Sequence, residues 1–229
     1  MRCEPLSICF SIEKDIETQF GHIADRLMNE VAVVVDETRF RLTEIEFYLF
    51  HPDKHPDPFV HCNERQKTSM QWYFHESGYG VDLTFGCDEY YGGILIRGLR
   101  NIQSGEPYSG PWKSMYALLS AMKGAEVQQS KRFVIEMDSR EKRCEVKKMK
   151  RKNLWLPGTI TKDMLQCLVP LKDISVMKNF NDIYINHISG VFKRKERMSQ
   201  SKNKKNIEDI HFFKEYYDKE YGYWVEDER

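Results

Sequence analysis

Seven side chains that could bind a metal or move a proton crowd into the segment from Glu44 to His61: Glu44, Glu46, His51, Asp53, His55, Asp57 and His61. Nitrogen and oxygen donors at that density are what a metal centre or an acid–base site requires. The histidines, however, are spread through a proline-rich loop at spacings that match no established ligand pattern such as HExxH. A metal-dependent hydrolase therefore stands third among the readings of this chain. Glu46 has a separate claim. Beside Phe47 and Tyr48 on a strand, it acts as a general base if its face lines a pocket and as plain surface charge if it does not.

The elements that must position these residues follow from periodicity. Apolar residues at Ile12, Ile16, Phe20, Ile23 and Leu27 predict an amphipathic helix over Ile12–Met28. Val31–Val35 and Phe40–Phe50 predict two strands joined at Asp36-Glu37. Strict alternation places Leu42, Glu44, Glu46, Tyr48 and Phe50 on one face of the second strand and Arg41, Thr43, Ile45, Phe47 and Leu49 on the other. Two carboxylates beside aromatic rings make the even face resemble a site. HPDKHPDPFVH (51–61) reads as a loop, with short strands at Trp72–Phe74, Val81–Phe85 and Ile94–Leu99 after it. Pro111 with Lys113–Met122 predicts a helix and Phe133–Met137 a further strand. REKRCEVKKMKRK (140–152) holds eight basic residues and two acidic ones, and KRKERMSQSKNKK (193–205) seven and one. Such runs are usually solvated surface, and the second is expected to be a mobile loop. Aromatic and acidic residues over 207–224 predict a final amphipathic helix docked on the core. There is neither an internal repeat nor a clean linker, which favours a single domain over residues 1–229.

Composition narrows the class. The chain has 229 residues, 41% of them apolar and 13% aromatic, enough for a sizeable core. Thirty-five Lys and Arg balance thirty-five Asp and Glu, so any affinity for a polyanion must come from a local patch. The six cysteines never fall at CxxC spacing, which argues against a zinc ribbon or a dithiol redox pair. With no long apolar run and no signal-peptide pattern at the start, the expectation is a cytoplasmic protein without membrane contact.

EIEFYL (44–49), a later His61, GGILIRGL (92–99) and SGPWKSMYALL (109–119) stand in an order that resembles the alkyladenine (3-methyladenine) DNA glycosylases. That family carries an ETEAYL-like strand, a loop histidine, a VLLRAL-like strand and an SGPxKLxxAL helix start. The resemblance covers roughly residues 15–125. It implies an α+β fold, a curved and mostly antiparallel sheet with surrounding helices like the C-terminal domain of formyltransferases. It implies a monomeric DNA glycosylase that flips an alkylated purine out of damaged double-stranded DNA and hydrolyses its glycosidic bond, with no metal and no cofactor. Glu46 would activate the water and Arg97 would orient it, also keeping the glutamate ionised. Tyr48 and His61 would sandwich the base, with His51 and His55 as competitors of His61. Tyr79 matches the tyrosine that wedges into the DNA gap. Phosphates would be met by Lys113 and by the basic runs, Lys147, Lys148 and Lys150 among them. The family's pocket asparagine has no counterpart, Gly86 standing near its place. A catalytically inactive nucleic-acid- or nucleobase-binding protein of the same fold is the second reading.

Overall fold

A computed structural model describes residues 8–75, 80–122, 133–154 and 210–226. Helix α1 (Ile16–Asn29) starts later than apolar spacing predicts, because Asp15 caps it by accepting the Thr18 N–H at 2.7 Å. Its inner face buries Phe20, Ile23, Ala24, Leu27 and Met28. The β-branched β1 (Val31–Val35) turns through Asp36, whose φ is +52°, into the long β2 (Thr38–His51). The short β3 (His55–Pro56) pairs back on the end of β2.

β2 is the spine of a curled antiparallel sheet. From one edge extend β6 (Tyr91–Asn101), β5 (Val81–Thr84) and β4 (Trp72–Phe74), with β7 (Pro107–Ser109) also on β6. Along the other edge, β1 and β8 (Phe133–Met137) flank the start of β2. Farther along, β10 (Gly222–Val225) pairs with it, carrying β9 (Val146–Met149) outside. Helices α2 (Pro111–Ala121) and α3 (Ile210–Tyr217) complete an α+β arrangement. No helix among the described residues is long and apolar enough to cross a membrane. The core lies on the α1 side of the sheet, where Phe20 stacks on Phe47 at 4.3 Å and Ile45, Leu49, Phe85 and Tyr223 surround them.

Two expectations are corrected. Strict alternation along β2 fails at Thr43, which has no ladder partner between the Leu42–Leu99 and Glu44–Gly98 pairs. Arg97 is likewise skipped between Gly98–Glu44 and Ile96–Ile45. These bulges switch the core-facing set from Phe40 and Leu42 to Ile45, Phe47 and Leu49. Gly98 makes the irregularity possible, since a Cβ there would stand 2.5 Å from Thr43 Oγ1. The tail is not one helix either. α3 ends at Tyr217, and Gly222–Val225 enters the sheet. Gly222 lies so close to Met149 that a Cβ would meet its Cγ at 2.8 Å, and the Tyr223 ring is buried in the core.

Candidate functional site

Glu46 lies on the face of the sheet opposite α1, fully buried, and three groups converge on its carboxylate. Tyr48 donates its hydroxyl to Oε2 at 2.9 Å, and the Lys152 backbone N–H donates to Oε1 at 2.6 Å. Arg97 approaches with Nε 3.3 Å from Oε1 and a terminal nitrogen 3.4 Å from Oε2. Glu44 is joined to this group through Arg97: its Oε1 accepts the arginine Nε–H at 2.8 Å and pairs with Lys152 Nζ at 2.9 Å. Arg97 can serve two carboxylates because it sits in a bulge that frees its side chain from the regular pleat. Its carbonyl is tied by the Gly110 N–H, at the turn that starts α2. Burial raises the Glu46 pKa above the ordinary glutamate value. The charge of Arg97, the Lys152 N–H and the Tyr48 hydroxyl act in the opposite direction and do not cancel it. Arg97 therefore lowers the Glu46 pKa by less than burial raises it.

One face of Tyr48 is occupied. The Arg151 guanidinium lies 4.7 Å from that ring, 5.5 Å from Phe59 and 5.4 Å from Tyr221. It pairs at 2.6 Å with Asp57, both side chains fully buried, and donates to the Phe47 and Tyr216 carbonyls. Burial opposes the charge on Arg151, but Asp57, by its charge and its hydrogen bond, together with Tyr48 and Glu46 outweighs it, and its pKa is raised. Burial also pushes the Tyr48 phenol well above its usual value, with the Glu46 charge adding to the effect.

The dense run from His51 to His61 disperses. The His51 ring caps a turn, accepting the Asp53 and Lys54 N–H groups. His55 is buried between the Leu49 carbonyl and the Tyr221 hydroxyl, and burial lowers its pKa. His61 is exposed, its ring 4.5 Å from that of His75 and 6.3 Å from Tyr73. Among the described residues no three His, Cys, Asp or Glu side chains gather as a metal would require.

Of the expected phosphate contacts, Lys113 is exposed in the first turn of α2 and Lys148 is exposed on β9. Lys147 pairs with Glu226 at 3.1 Å and lies over the Trp224 ring, while Lys150 pairs with Asp218 at 2.7 Å. The acidic tail thus meets the first basic run. Tyr79, the 193–205 run and positions 207–209 of the expected helix lie outside the described residues.

Glu44 was legible as a second carboxylate on the face of Glu46, but its claim on Arg97 was not. Arg151 and Lys152 give no sequence signal, being two of eight basic residues in one run. No protein-family model matches the chain. It is similar to an uncharacterized protein of Acanthamoeba polyphaga mimivirus, 36% identical over 125 residues. That match covers 45% of this chain and 57% of the viral protein, so the chain spans little more than half of that relative's length.

Proposed function

We propose that this chain is a DNA glycosylase of the alkyladenine type, built on a sheet like the C-terminal domain of formyltransferases. It excises alkylated purines from double-stranded DNA by base flipping and water attack. The observation that carries the reading is the convergence of Tyr48 and Arg97 on the buried Glu46 carboxylate. A duplex hides its bases from attack, so the target must be rotated out and held between π faces. Tyr48 offers one such face. The water gives its proton to Glu46 as its oxygen bonds to the sugar C1′. The C1′–N bond breaks with its electron pair neutralising the cationic base. Burial suits Glu46 to this work, since a raised pKa makes a stronger base.

One donor on Glu46 must give way to the water. The Lys152 N–H is the candidate, because it comes from the segment after β9, whereas Tyr48 and Arg97 belong to β2 and β6. Arg151 likewise restricts a flipped base to the other face of Tyr48. The full burial of Glu46 favours a second reading, a protein of this fold that binds nucleobases or nucleic acid without cleaving.

The test is abasic-site formation in methylated duplex DNA. Wild-type protein is expected to form such sites in the presence of a chelator, and Glu46→Gln to lower the rate about 10²–10⁴-fold. Saturable duplex binding without abasic sites would leave the second reading. Activity lost on chelation and restored by a divalent ion would revive the metal reading.

A further inference from the structure

The reaction above needs the Lys152 N–H to leave Glu46, and two anchors hold the segment that carries it. The pairing of β9 with β10 ends at Met149 and Gly222, and Gly222 also pairs with Glu46 of β2. The chain after Met149 therefore passes beyond the end of β10 and turns in over the site. Its first anchor is Arg151, fixed by buried Asp57 and by the Phe47 and Tyr216 carbonyls. The second is Lys152, which engages both site carboxylates at once. Its backbone N–H is 2.6 Å from Glu46 Oε1, and its Nζ is 2.9 Å from Glu44 Oε1.

The anchors differ in what their loss would strand. Withdrawing Arg151 takes the cation from a fully buried Asp57, which is costly. Withdrawing Lys152 strands neither acid. Glu44 keeps the Arg97 Nε–H at 2.8 Å, and Glu46 keeps the Tyr48 hydroxyl at 2.9 Å and Arg97 at 3.3 Å. The Lys152 side chain is also 50% exposed, whereas that of Arg151 is sealed. An ion pair so open to solvent is weak, and a phosphate oxygen can replace Glu44 on Nζ. Exposed Lys148 and Lys150 in the same run add to the field that such a phosphate meets on approach.

We propose that Lys152 is an autoinhibitory latch, keeping water off Glu46 until a phosphate of duplex DNA draws its ammonium from Glu44; the proposal rests on the glycosylase reading of Glu46. In the closed chain the Lys152 N–H occupies the oxygen that the attacking water must reach. When Nζ turns to the phosphate, residue 152 loses its side-chain hold on β2 and swings away about the fixed Arg151. Water then enters at Oε1 with Tyr48 and Arg97 still in place. Burial raises the Glu46 pKa and the Lys152 N–H is among the groups that hold it down, so opening the latch also makes the carboxylate a stronger base. Hydrolysis is thereby confined to protein that is already on DNA.

The experiment follows backbone amide exchange in the full chain alone, with saturating undamaged duplex DNA, and with inorganic phosphate at equal phosphate concentration. The Lys152 amide is expected to be protected in the free protein and to lose that protection on the duplex only. Amides of the β9–β10 ladder should stay protected throughout. Lys152→Gln keeps the N–H but offers no ammonium to a phosphate, so its amide should exchange alike with and without duplex. Thermal melts confirm that the variant is folded. A Lys152 amide that stays protected on the duplex, that opens equally with inorganic phosphate, or that responds to duplex in Lys152→Gln as in the wild type overturns the latch while the Glu46 reading stands. An amide released on methylated duplex without abasic sites overturns the glycosylase reading and leaves a latch that answers to DNA. A chain that binds no duplex removes both.

Discussion

Two buried arginines, one over the Tyr48 ring and the other on Glu46, face opposite electrostatic situations. Arg151 has one carboxylate partner, Asp57, at 2.6 Å with both side chains fully buried, and its remaining bonds go to backbone carbonyls. Arg97 divides itself between Glu44, partly open to solvent at 2.8 Å, and the deeply buried Glu46 at 3.3 Å. The first arrangement matches charge to charge and closes a gap between the sheet, the 51–61 loop and α3. In the second, the better contact goes to the more exposed acid, so the buried one is left with burial as the dominant influence on its proton. One arginine pins the structure, and the other leaves a carboxylate poised to take a proton. Residue type does not distinguish them; the number of carboxylates per guanidinium does.

The largest expected effect tests the pin. Removing one partner of a buried ion pair strands the other charge and typically costs about 3–5 kcal/mol, whereas replacing both by apolar groups is often close to neutral. Asp57→Ala should therefore lower unfolding stability in urea by that amount, and Asp57→Leu with Arg151→Met should recover most of it. If Asp57→Ala costs little, Arg151 is not held by its charge partner and the contrast with Arg97 collapses.

A smaller effect, of opposite character, is expected at Glu46. Its folded pKa is raised, so the folded state binds the proton more tightly than the unfolded chain. The resulting contribution to stability is present in full below the unfolded glutamate value and is lost as pH rises through the folded one. Glu46→Gln removes this dependence. Relative to wild type it should gain stability with rising pH across that window, about 1.4 kcal/mol for each unit by which the two pKa values differ. Denaturation curves for both proteins across pH give the difference directly. A wild type that gains on the variant as pH rises would mean that Arg97 wins over burial.

The same contrast shows what could be read in advance. The strands that carry Glu46, Tyr48 and Arg97 were legible because alternating apolar residues reveal a sheet face locally, and Phe133–Met137 emerged with the expected bounds. The bulges at Thr43 and Arg97 were not, since each depends on a partner strand about fifty residues away and on Gly98 accepting Thr43 at close range. Burial of Arg151 was hidden for a similar reason. Its carboxylate, its rings and its carbonyl partners come from four separate stretches of chain, and nothing local separates it from neighbouring Lys150 in the solvent. The tail misled because Tyr221, Tyr223 and Trp224 fit a helical stripe as well as a strand. The sheet edge offered by β2 and β9 decided between them.

The smallest effect concerns the surface beside these two centres, where the basic run meets the acidic tail. Lys150 with Asp218 and Lys147 with Glu226 are solvent-exposed pairs, and exposed pairs contribute little to folding. On the glycosylase reading, their consequence is for DNA. A lysine engaged by a carboxylate is less available to a phosphate, so the wild type should bind duplex DNA with a shallow dependence on salt. Asp218→Asn with Glu226→Gln removes the competitors while leaving the lysines in place. If Lys147 and Lys150 then reach phosphates, affinity at low salt should rise. The slope of log affinity against log salt should steepen by about 0.9 for each phosphate newly neutralised. Melting temperature should not move. An unchanged slope would mean that Lys147 and Lys150 of this surface do not meet phosphates.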